Sequence, residues 1–150
     1  MADLYGVQAT KVNTGPTGAN IVSPGLLGGR VRCMVDTYEA SAAAIGATIQ
    51  LGQALPVGAK VLGFIFAHDA LGSATVDLGD ADNADRYIDG ANVSSAGIIN
   101  EGDATLIDGI AYEVLGTGAT ASGDDTTILL TVIGATLTGT IKLVLFYTVD

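Results

Sequence analysis

The chain has 150 residues and a mass of 15.0 kDa, one domain's worth, with 49% hydrophobic and only 15% charged residues. That balance excludes a disordered chain and a charge-rich helical bundle. Six Lys+Arg against sixteen Asp+Glu give a net charge of −10, a field that repels phosphate backbones and anionic membrane surfaces, so neither nucleic acid nor membrane is expected as a partner.

The first 29 residues read as an extended N-terminal arm. Asn13-Thr14-Gly15-Pro16-Thr17-Gly18-Ala19-Asn20, Ser23-Pro24-Gly25 and Gly28-Gly29 place Gly and Pro too densely for a regular element. Yet Leu4, Tyr5, Val7, Val12, Ile21, Val22, Leu26 and Leu27 are scattered through it. A purely solvated linker has no use for them. They are the candidate partner-contact residues, and the arm is expected to lie on its own domain, on a sister subunit or on another protein. The opening residues lack a basic region followed by an apolar one, so no signal peptide is expected.

Residues 30–150 read as strands. Arg30–Tyr38 alternates, with Val31, Cys33, Val35 and Thr37 on one face and Arg32, Met34, Asp36 and Tyr38 on the other. Glu39–Ile45 is Ala-rich and fits either a turn or two of helix or a bulged extension of that strand. Thr48–Leu51 alternates, Leu55–Gly58 is a turn, and Ala59–His68 is a longer apolar strand. Ala74–Leu78 alternates with Val76 and Leu78 facing inward. Arg86–Ile88 and Ile110–Leu115 are short strand candidates, and Ala91–Ala96 fits a short helical turn. Thr126–Ile133 and Thr140–Val149 follow. Gly-, Asp- and Ser-rich turns separate these runs. The expected fold is all-β: one antiparallel β-sandwich of about seven or eight strands, jelly-roll-like. In the last run Ile141, Leu143, Leu145 and Tyr147 share one face, while Val144 and Phe146 on the other are also apolar. A sandwich strand normally buries one face. Two apolar faces point to a further surface covered in an assembly.

Candidate chemistry is sparse. One cysteine, Cys33, excludes an intrachain disulfide, and one histidine, His68, leaves too few ligands for a usual zinc site. The acidic stretch Asp77–Asp85 has oxygens at Asp80, Asp82, Asn83 and Asp85 suited to Ca²⁺, but the spacing departs from an EF-hand loop. A turn whose Asp and Asn side chains bond to local backbone is the preferred reading. Gly116–Ala121 formally matches a dinucleotide-binding turn, but no helix follows it. His68 and Asp69 are adjacent on a strand, so they point to opposite faces and do not form a base and its orienting carboxylate. No catalytic, metal or cofactor-binding residue is therefore assigned, and the chain is not expected to be an enzyme.

One ordered set of motifs carries a resemblance. A Gly/Pro/Asn-rich arm is followed by Arg30-Val31-Arg32-Cys33-Met34-Val35-Asp36-Thr37-Tyr38-Glu39, Gly46–Gly52 and Leu55–Leu62. A long strand then ends in Asp69–Asp80 and Asp85-Arg86-Tyr87. This set resembles the small structural proteins of tailed bacteriophages that decorate or cement the head, over roughly Ala9 to Tyr87. The resemblance implies a β-sandwich, commonly trimeric, on the outer surface of a shell of major capsid protein. It implies a virion component made in the bacterial cytoplasm, with the major capsid protein as partner and no cofactor. The alternatives are a tail, neck or fibre component, or a carbohydrate-binding sandwich module.

Overall fold

The computed structural model describes residues 30–81, 83–100 and 127–149. These form β1 Arg32–Ala43, β2 Thr48–Gln50, β3 Ala59–His68, β4 Thr75–Gly79, β5 Ile88–Asn92, β6 Gly97–Ile99, β7 Leu129–Ile133 and β8 Leu137–Val149. Among the described residues there is no helix. All pairings are antiparallel, in two four-stranded sheets. Sheet A has the order β1-β8-β3-β6 and sheet B the order β2-β7-β4-β5. The first strand pairs with the eighth, the second with the seventh, the third with the sixth and the fourth with the fifth. That is the winding of one long antiparallel ribbon rolled into a sandwich, the jelly-roll-like architecture expected from the strand spacing.

Period-two alternation decides which side chains meet between the sheets. On β8, Ile141, Leu143 and Leu145 are buried. They face Val76, Leu78, Leu130 and Val132 of sheet B in one continuous core. Phe64 and Phe66 of β3 join it, and Phe64 meets the buried Tyr87 ring edge-on at a centroid distance of 6.3 Å. Each fully buried Leu or Phe stabilises the fold by about 1.5–3 kcal/mol.

Two local expectations are settled by what the backbone can bond to. Glu39–Ile45 takes its strand alternative. β1 continues to Ala43, with Glu39 opposite Thr140, Ala40 opposite Gly139 and Ala43 opposite Leu137, and a bulge between Ala40 and Ala43. At the bulge Ala42 has φ 54°, and its amide donates to Thr138 Oγ1 at 3.0 Å. The Ala run has helix propensity but no apolar stripe of helical period to bury, so pairing with β8 prevails. At Gly46, φ 80° lets the chain turn from sheet A to sheet B. The helical turn expected at Ala91–Ala96 is corrected. Asn92 ends β5, its Oδ1 accepts the Ser94 amide at 2.9 Å, and the chain crosses to sheet A as β6. An Asx turn thus replaces the helix. Of the short strand expected at Arg86–Ile88, only Ile88 is strand; Arg86 and Tyr87 lie in the preceding turn. The strand expected at Ile110–Leu115 and the motif Gly116–Ala121 lie outside the described residues.

Candidate interaction surface

The outer face of sheet A is apolar in its middle rows and polar toward the end where Thr140 Oγ1 donates to Glu39 Oε2. Its rows follow from the register: Cys33, Phe146 and Gly63; Val35, Val144 and Ile65; Thr37, Lys142, Ala67 and Ile98. Val31 is 58% exposed, Val35 57%, Ile65 37% and Ile98 68%. Val35, Ile65 and Ile98, exposed on one sheet face, form a patch, whereas single ones are ordinary; Val31 just precedes β1. The strands of sheet A carry Arg32, Lys60 and Lys142 against Asp36 and Glu39. They are near neutral in a strongly acidic chain, which lowers the cost of bringing a second surface against them.

The outer face of sheet B is built differently. Its rows are Thr48, Thr131 and Asp77, then Ile133, Thr75 and Asn92, with Gln50 at the edge. Hydroxyls, amides and a carboxylate dominate it. Asp77 Oδ1 accepts the Gly90 amide at 2.7 Å, tying β4 to β5.

The acidic turn after β4 is closed by its own groups. Asp80 is 1% exposed. Its Oδ1 accepts the Asn83 amide at 2.9 Å, and its Oδ2 meets Arg86 Nε at 2.5 Å. Asn83 Oδ1 accepts the Asp85 amide at 3.3 Å. A Cβ on Gly79 would collide with the Asn83 and Ala84 backbone, so only glycine allows the turn to fold back over β4. The guanidinium of Arg86 takes the place a cation would occupy beside Asp80. Asp82 lies outside the described residues.

His68 ends β3 with its ring against Phe66, centroids 5.6 Å apart. Its Nδ1 lies 2.8 Å from the Asp69 carbonyl oxygen, while the Asp69 carboxylate turns away and accepts the Thr140 amide at 3.1 Å. The two side chains serve different partners, as adjacent strand positions require. Cys33 is exposed on the outer face of sheet A.

The eight arm residues named as contacts, Leu4, Tyr5, Val7, Val12, Ile21, Val22, Leu26 and Leu27, lie outside the described residues. The exposed residues of sheet A were not singled out as contacts from sequence. The two-sided apolar pattern at Val144 and Phe146 was the signal. For β1 the alternation grouped Val31 with Val35 but left the side undecided, because Met34 and Ala40 make the opposite face apolar too.

An antiparallel sandwich with one apolar and one polar outer face is the class of fold this chain adopts. Searches of family models and of curated sequences find no match. Among solved structures, a chain from the cyanophage Pam1 capsid asymmetric unit superposes with a TM-score of 0.63 at 20% identity, over 92% of this chain and 96% of that one. A chain from the capsid of Ralstonia phage GP4 superposes with a TM-score of 0.61 at 19% identity, over 81% and 86%. At this identity what is shared is the fold.

Proposed function

We propose that this chain is a structural virion protein: a capsid decoration or cement protein that binds the outer surface of the major capsid protein shell and stabilises it by contact. The reading is carried by the fold shared almost end to end with a chain of a phage capsid assembly. The apolar outer face of sheet A supports it, since that face suits attachment. The polar face of sheet B suits solvent, and net negative charge suits a position away from packaged DNA. In this reading residues 30–150 are the sandwich domain and residues 1–29 are a contact arm. The chain acts as a homotrimer, so that weak single contacts sum over several copies. It works by binding, with no chemical step.

The test is attachment. Purified protein is mixed with heads stripped of accessory proteins, sedimented, and the bound copies counted and imaged. The reading expects saturable binding of many copies, arranged over the shell. Protein that stays in the supernatant would refute it. A few copies at a single vertex would instead place the chain in the tail or neck.

A further inference from the structure

The apolar rows of sheet A hold one charged side chain. Across Cys33, Phe146 and Gly63, then Val35, Val144 and Ile65, then Thr37, Lys142, Ala67 and Ile98, only Lys142 is ionised. It is exposed, and among the described residues it forms no ion pair. Two carboxylates lie toward the next row, and Thr140 holds both. The Thr140 hydroxyl donates to Glu39 Oε2 at 2.7 Å, and the Thr140 amide donates to Asp69 Oδ2 at 3.1 Å. Beside Lys142 lies a depression of about 200 Å³, lined also by Ala67, Asp69, Gly97 and Thr140. It stays open because the methyl of Ala67 and the bare backbone of Gly97 cannot fill it.

An ammonium in this position decides what can cover the face. In water it is fully hydrated. Under an apolar surface it loses that hydration, and a buried charge left without a partner is costly. A surface that docks over Val144, Ile65 and Ile98 must therefore bring a negative group to Lys142. We infer that the partner of the sheet A face is an apolar protein surface carrying an Asp or Glu side chain opposite Lys142, with room for that side chain in the depression beside the ammonium. The pairing rests on the attachment proposed above and specifies the chemistry of the shell surface that this face meets. Lys142 then sets specificity: it accepts a matched carboxylate and rejects surfaces that leave it unpaired or present a cation.

A second copy of this chain is the poorer occupant. The three rows cover roughly 300 Å² of sheet, against about 800 Å² per partner in a standard stable interface. Two copies face to face also bring together two chains of net charge −10. A shell presents many equivalent sites, so contacts of this size sum over several copies.

The test uses the full chain and stripped heads. A carbodiimide activates a carboxylate, and an amine in contact with it displaces the urea to form an amide, so a paired Lys142 becomes joined to its partner. Lys11 and Lys60 are the other lysines, and the coupled peptide identifies the amine. The expected product joins Lys142 to an Asp or Glu of the shell protein. Lys142→Arg keeps the charge without a coupling amine; it should attach as the parent chain does and lose the product. Lys142→Met should weaken attachment by about 30-fold and Lys142→Glu by more, with the thermal midpoint unchanged in each. If the parent chain attaches and Lys142→Met and Lys142→Glu attach equally well, the pairing is overturned and the attachment reading stands. Coupling of Lys142 to a carboxylate of a second copy would also overturn the pairing, and would assign the face to self-association. A parent chain that does not attach at all would remove both.

Discussion

The two outer faces of the sandwich obey the same alternation and end as opposite surfaces. On sheet B the outward positions are mostly polar, with Thr48, Thr75, Thr131, Asp77, Asn92 and Gln50 beside Leu129 and Ile133, and Asp77 is engaged with backbone of β5. On sheet A they include Val35, Val144, Ile65 and Ile98, with Thr37, Lys142 and Glu39 toward one end. Threonine and valine have nearly the same shape and both suit strands. The two sheets therefore satisfy the backbone equally and differ in what they offer a neighbour. Apolar outward positions do not help the isolated domain fold, which is why the sheet A face reads as a contact surface.

Five changes would break or sharpen that contrast. The largest effect is expected beneath sheet B. Arg86→Ala leaves the buried Asp80 carboxylate without its ion-pair partner, and should cost about 3–5 kcal/mol in a urea melt. A loss below ~1 kcal/mol would mean the turn is held mainly by its backbone bonds. Next comes the sheet A face. Val35→Asp with Ile98→Asp should weaken attachment to stripped heads by on the order of 100-fold, about 2.7 kcal/mol, while stability changes by less than ~1 kcal/mol. The matching change on sheet B, Thr131→Asp, should leave attachment intact; equal loss from both faces would erase the distinction. A smaller effect is expected from Asp36→Ala, which removes the acceptor of the Gly52 and Thr37 amides and should cost about 1–3 kcal/mol. The smallest concerns the acidic turn. Because Arg86 already faces Asp80, chelation with EDTA should leave the thermal midpoint unchanged, and a fall of several degrees would reveal a bound cation.

Most of the fold was legible in the residues. β3 has the boundaries that its apolar run and flanking turns predict. β4 buries Val76 and Leu78 as its alternation predicts. These strands were readable because pattern, turn chemistry and length agreed. Glu39–Ile45 could not be decided, since an Ala run satisfies helix and strand alike and only β8, nearly a hundred residues away, resolves it. Ala91–Ala96 was misread because Asn92 acts through a side-chain bond to the Ser94 amide that composition does not display. The surface was harder still. Which face of β1 points outward depends on pairing with β8 and on the position of the 52–56 segment, and neither is encoded locally. That β1 pairs on one side only among the described residues is likewise a property of strand order rather than of any residue in β1.

β8 lies in the middle of sheet A, bonded to β1 along one side and to β3 along the other. Among the described strands it is also the last in chain order. Until it emerges, β1 and β3 are strangers and the hydrophobic interior has no floor on that side. Completion of sheet A must therefore wait until residues 137–149 have been made, and long-range pairing of this kind is slow. A nascent fragment stopping short of residue 137 would expose Phe64 and Phe66 to whatever quality-control machinery the cell provides, so prematurely ended copies should be cleared rather than assembled.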